Sequence, residues 1–145
     1  MTHKKFIPAL ATGITLASMS IVPAAQAQIQ TSAKCSLATV KGSYAIQLTG
    51  WYGTGANRVP YASAGTFIAD GNGYLSGTET VVLDGAAPIQ QTVTANYTVN
   101  PATCTGAATA TDGRTFNFFI LGNGKEITNI STTPGTTITG VSKRQ

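Results

Sequence analysis

The sequence predicts an all-β domain: an eight-stranded antiparallel up-and-down barrel preceded by one short helical turn. Three observations carry that prediction. Short runs rich in Thr, Val, Ile, Tyr and Phe recur along the chain, alternating apolar with polar positions, and Gly, Asn, Asp and Pro separate them. The intervening segments are too short for crossover helices, so parallel βαβ units are excluded. Such a meander must hide its two edges, which closure into a barrel does most completely; two packed four-stranded sheets, a β-sandwich, are the alternative.

The elements follow in order. Ser36–Val40 fits a single helical turn, with Ser36 as cap and Gly42 as its end. The first strand spans Ser43–Trp51 and puts Tyr44, Ile46 and Leu48 on one face. A Gly-rich break, Gly53–Asn57, leads to the second strand, Tyr61–Ala69. Asp70-Gly71-Asn72-Gly73 then marks a tight hairpin, because Asp-Gly and Asn-Gly pairs tolerate the positive φ such turns demand. The third strand is Tyr74–Leu83, and Asp84–Pro88 turns the chain again.

The fourth strand, Ile89–Val99, alternates most cleanly, with Ile89, Gln91, Val93, Ala95, Tyr97 and Val99 facing one way. Asn100-Pro101 breaks it. The fifth strand is the small-residue run Cys104–Thr111, and Asp112-Gly113 turns into the sixth, Thr115–Leu121. Gly122-Asn123-Gly124 leads to the seventh, Glu126–Thr132, and Pro134-Gly135 to the eighth, Thr136–Lys143. Asp70, Asp84 and Asp112 each precede Gly, and each is expected to bond its own backbone in a turn.

The first residues predict a targeting segment. His3-Lys4-Lys5 supplies positive charge, Phe6–Val22 is mostly apolar, and Ala25-Gln26-Ala27 is a small-x-small cleavage pattern. The expectation is a signal peptide over 1–27, a loosely ordered leader over 28–34, one domain over 28–145, and export to the periplasm or beyond. Cleavage removes Lys4 and Lys5 and takes the formal charge from +4 to +2. The remaining cations are scattered, so the sequence predicts no nucleic-acid partner. It also predicts no membrane span once the signal is gone. The face opposite the apolar stripe carries Thr, Gln and Asn, unlike the lipid-facing band of an outer-membrane barrel.

Two cysteines in an exported chain read as a disulfide, Cys35–Cys104, that pins the helical turn beside the connection between the fourth and fifth strands. The only histidine, His3, leaves with the signal. The processed chain therefore has no Ser-His-Asp triad, no Cys-His pair and no His/Cys zinc site, and no cofactor motif is present. Asp70–Gly73 lacks the spaced ligands and terminal Glu of a calcium loop, so no metal site is predicted.

Glu79 is the exceptional carboxylate, because alternation points it inward with Leu75, Gly77, Val81 and Leu83. An inward carboxylate must be paired or hydrogen-bonded, or serve as an acid–base group. A bulge at Gly77 that turns it outward and a salt bridge to Arg58 or Arg114 are the structural alternatives. The expected ligand-binding residues are Tyr44, Phe67, Glu79, Gln91, Tyr97 and Phe118, with Asn129 and Phe116 as further inward positions. Side chains filling the barrel and satisfying one another are the competing expectation. Trp51 and Tyr52, beside a Gly-rich loop, fit either a cavity mouth or a half-buried strand end.

The patterns F-x-x-D-G-N-G at Phe67–Gly73, Y-T-V at Tyr97–Val99 and G-K-E at Gly124–Glu126 resemble those of a group of small exported bacterial β-barrel proteins. More loosely, the strand count is similar to allene-oxide-cyclase and dirigent-like barrels, a resemblance that implies an interior able to host cyclisation chemistry. The functional expectation is a barrel that binds a small apolar ligand or partner without catalysis. A barrel cyclase or isomerase using Glu79, and a surface protein assembling through Thr-rich outer faces, are the alternatives.

Overall fold

The computed structural model describes residues 35–145; the predicted signal segment and leader lie outside the described residues. After a four-residue helical turn, α1 (Leu37–Val40), eight strands follow: β1 (Gly42–Tyr52), β2 (Val59–Ala69), β3 (Tyr74–Leu83), β4 (Ile89–Asn100), β5 (Thr105–Ala110), β6 (Thr115–Leu121), β7 (Glu126–Ser131) and β8 (Thr136–Arg144). Each pairs antiparallel with the next, and β1 also pairs with β8, with Tyr44 opposite Arg144 and Tyr52 opposite Thr136. The sheet is a closed barrel and not a sandwich.

The turn chemistry accounts for the β2–β3 hairpin. Asp70 Oδ1 accepts the N–H groups of Asn72 and Tyr74 at 2.7 and 3.0 Å, while Gly71 and Gly73 take positive φ. These two N–H donors hold the Asp70 carboxyl below the usual carboxylate range. Asp112 likewise accepts the N–H of Arg114 at 3.1 Å. Asp84 differs from expectation: it contributes by adopting positive φ itself (51°), with no side-chain hydrogen bond among the described residues. The helical turn ends at Val40, as expected, with Lys41 as its C-cap and Gly42 opening β1.

Parity along the strands holds through the body of the barrel. Tyr44 and Leu48 of β1, Ala95 and Tyr97 of β4, Phe118 and Ile120 of β6, and Ile138 of β8 are all buried. It fails at the rim, where Ile89, the first residue of β4, is 59% exposed because it stands beyond the enclosed space.

Inside, two apolar clusters fill the two ends. Tyr44, Ala69, Tyr97, Ile120 and Ile127 pack beneath α1 with Cys35 and Val40. Leu48, Tyr61, Val81 and Ile138 pack at the opposite end. Burying a side chain of this size contributes about 1.5–3 kcal/mol, so both clusters stabilise the closed sheet. The α1 end is also cross-linked: Cys35 and Cys104 form a disulfide with Cα atoms 5.2 Å apart.

Candidate functional site

Between the two clusters lies a cavity of about 90 Å³. Its existence follows from which residues β5 turns inward. Ala108 and Ala110 carry small side chains, and Ala95 of the neighbouring β4 adds none of bulk. The Phe118 ring occupies the space that a Gly106 side chain would take. The opposite wall is aliphatic, with Ile46, Leu48 and Ile127, and Val40 of α1 also reaches the space.

The polar part of the lining is built around Glu79. Its strand runs in unbroken register, with Gly77 opposite Phe67 and Glu79 opposite Gly65, so no bulge turns the carboxylate outward. Gly65 is required for this, since a Cβ there would collide with the Thr78 carbonyl oxygen and the Glu79 backbone. Glu79 is consequently 5% exposed. Gln91, its cross-strand partner on β4, donates from Nε2 to Glu79 Oε1 at 2.7 Å.

Arg114 supplies the countercharge. It lies just before β6, at the end of the barrel opposite α1, and its side chain folds back inside with 14% exposure. Nη2 donates to Glu79 Oε1 at 2.5 Å, Nη1 to the Tyr61 hydroxyl at 3.1 Å and Nε to Asp112 Oδ2 at 2.7 Å. Burial works against its charge, but the hydrogen bond and charge of Glu79 outweigh that and hold the guanidinium protonated above its usual range. Burial pushes the Tyr61 phenol up from its ordinary value. Ser63 bears on that phenol's titration, yet its own buried Oγ makes no hydrogen bond of proper geometry.

Phe67, Glu79, Tyr97 and Phe118, four of the six expected ligand-binding residues, line the cavity. The other two do not. Tyr44 is fully buried under α1, where it stacks on Phe67 at 5.1 Å, donates to the Gly124 carbonyl at 2.8 Å and accepts from Arg144 Nη2 at 2.8 Å. Gln91 stands behind Glu79 and supports it. Trp51 and Tyr52 are strand-end residues outside the cavity, about half exposed, with the Arg58 guanidinium 5.2 Å from the Trp51 ring centroid. Arg58 is thereby occupied elsewhere, and Arg114 is the partner of Glu79.

Tyr97 spans two environments. Its ring lines the cavity, while its hydroxyl accepts from the Gly71 N–H at 3.2 Å and reaches the Leu37 carbonyl at 3.4 Å. Burial raises its phenol pKa. Asn129 also lines the cavity and donates from Nδ2 to Ser142 Oγ at 3.1 Å and to the Ile127 carbonyl at 3.5 Å. No group of acidic, cysteine or histidine side chains suited to a metal occurs among the described residues.

No family model matches this chain, and no curated protein matches it. Among solved structures, the chain is similar to a de novo designed fluorescence-activating beta barrel, with 10% identity and a TM-score of 0.48, over 77% of this chain and 99% of that one.

Proposed function

We propose that this protein is an exported barrel that holds a compact apolar ligand in its mid-barrel cavity without transforming it. The observation that carries this reading is the cavity itself: β5 lines it only with Ala108 and Ala110, and about 90 Å³ stays open between two otherwise filled ends. Apolar walls with few polar groups are the usual make-up of a small-molecule site. An engineered apolar cavity of roughly 150 Å³ admits benzene, so the occupant here is no larger than a single ring. The Cys35–Cys104 disulfide supports an oxidising compartment.

Catalysis by Glu79 finds less support than ligand binding. Its Oε1 takes donors from both Gln91 and Arg114, which gives the carboxylate a structural occupation as the buried half of an ion pair.

The test is a titration of the disulfide-bonded protein with benzene, followed by NMR, together with native mass spectrometry of protein purified from its own host. Saturable shifts are expected at Ile46, Leu48 and Val93, and Ala108→Leu, which fills the space, should abolish them while leaving the rest of the spectrum folded. Absence of saturable binding by benzene, with no retained mass on the native protein, would overturn the proposal.

A further inference from the structure

One buried carboxylate of the cavity keeps an oxygen without a partner, and that oxygen specifies what the ligand can bring. This inference rests on the cavity being a ligand site. On the donor side, Arg114 spends three of its five N–H groups on Glu79, Tyr61 and Asp112, at least one from each guanidinium nitrogen. Asn129 Nδ2 is directed to Ser142 and to the Ile127 carbonyl; that carbonyl can only accept, which fixes the amide nitrogen on that side.

On the acceptor side, capacity is left over. Glu79 spends Oε1 on two donors, while Oε2 makes no hydrogen bond among the described residues. Asn129 Oδ1 makes none either. Both residues line the same open space. Charge points the same way. The Glu79 and Asp112 carboxylates outnumber the Arg114 guanidinium, so an incoming anion meets net repulsion.

We propose that the ligand class is a single-ring or similarly compact apolar molecule carrying one neutral hydrogen-bond donor, a hydroxyl or an N–H, which it gives to Glu79 Oε2, and that carboxylates are excluded. In a purely apolar cavity a hydroxyl is a liability, since it leaves water without finding a partner. Here it finds a charged acceptor in a water-poor space, where hydrogen bonds of this kind are among the stronger ones.

Benzene, phenol, anisole and benzoate are the probes, titrated calorimetrically at neutral pH into the disulfide-bonded protein. Phenol is expected to bind about tenfold tighter than benzene, as a hydrogen bond to a charged group implies. Anisole, which keeps the ring and oxygen but has no donor, should lose that advantage, and benzoate should not bind. In the double variant Glu79→Leu/Arg114→Leu, the preference for phenol over benzene should vanish. Benzene or anisole equalling phenol, or benzoate binding best, overturns the donor assignment while leaving the cavity a ligand site. Binding by none of the four overturns the ligand site and this inference with it.

Discussion

The two ends of the barrel are closed by opposite means. Under α1, closure is apolar and covalent: a disulfide, a stacked Tyr44–Phe67 pair, and an arginine, Arg144, that donates to both the Thr39 carbonyl and the Tyr44 hydroxyl. At the far end, a polar bridge from Arg114 to Glu79 and Tyr61 overlies the cavity next to a smaller apolar cluster. A covalent plug stays shut whatever the solvent does. The far end is held instead by a buried ion pair, whose strength depends on both partners staying charged and in place.

The largest expected effect tests the plug. Replacing Cys35 and Cys104 together by Ser releases a loop with a sequence separation of 69 and should lower unfolding free energy by about 4 kcal/mol on the chain-entropy account. Denaturant titration reads this directly. A loss under about 1 kcal/mol would mean that packing of α1, and not the cross-link, holds that end.

Next comes the bridge. Arg114→Leu strands a carboxylate that is 5% exposed and should cost about 3 kcal/mol, whereas Glu79→Leu/Arg114→Leu should recover most of the loss, since a buried pair replaced by apolar groups is often neutral. A double variant as unstable as the single one would show that the bridge is a stability element like the plug, and the contrast between the ends would collapse.

The smallest effect distinguishes the ends by pH. Tyr61 and Tyr97 both have pKa values raised above the ordinary 10.0, chiefly by burial. A raised phenol pKa means that the folded state holds the proton more tightly. The associated stability is therefore complete below about pH 10 and is lost as pH climbs through the folded-state values. Urea melts across that alkaline range should show the decline, with Tyr61→Phe removing the far-end part and Tyr97→Phe the plug-end part. Stability that stays flat for the parent protein would contradict the burial of both hydroxyls.

Most of the architecture could be read from the residues, because a strand's two-residue period and its Gly, Asn and Asp turns are local signals. The eight strands lie within about two residues of the ranges expected, and Glu79 points inward as alternation requires. The parts that were not legible depend on height along the barrel axis and on which strands face each other across it. Parity placed Tyr44 inside but said nothing about α1 and Arg144 meeting it there. It also left Arg58 and Arg114 as equal partners for Glu79, a choice made only when the chain closes. The cavity did leave a trace, in the small inward residues of β5, which on their own read as an unremarkable strand.

The seam between β1 and β8 carries one more consequence. It joins residues as far apart as Tyr44 and Arg144, so the first strand to emerge from a ribosome or translocon has to wait for the last before its outer edge finds a neighbour. Until then its backbone N–H and C=O groups are available to any passing strand. Assembly is correspondingly slow for a chain of this size, and losing the last strand, the nine residues Thr136–Arg144, would leave a sticky ribbon in place of a sealed cylinder.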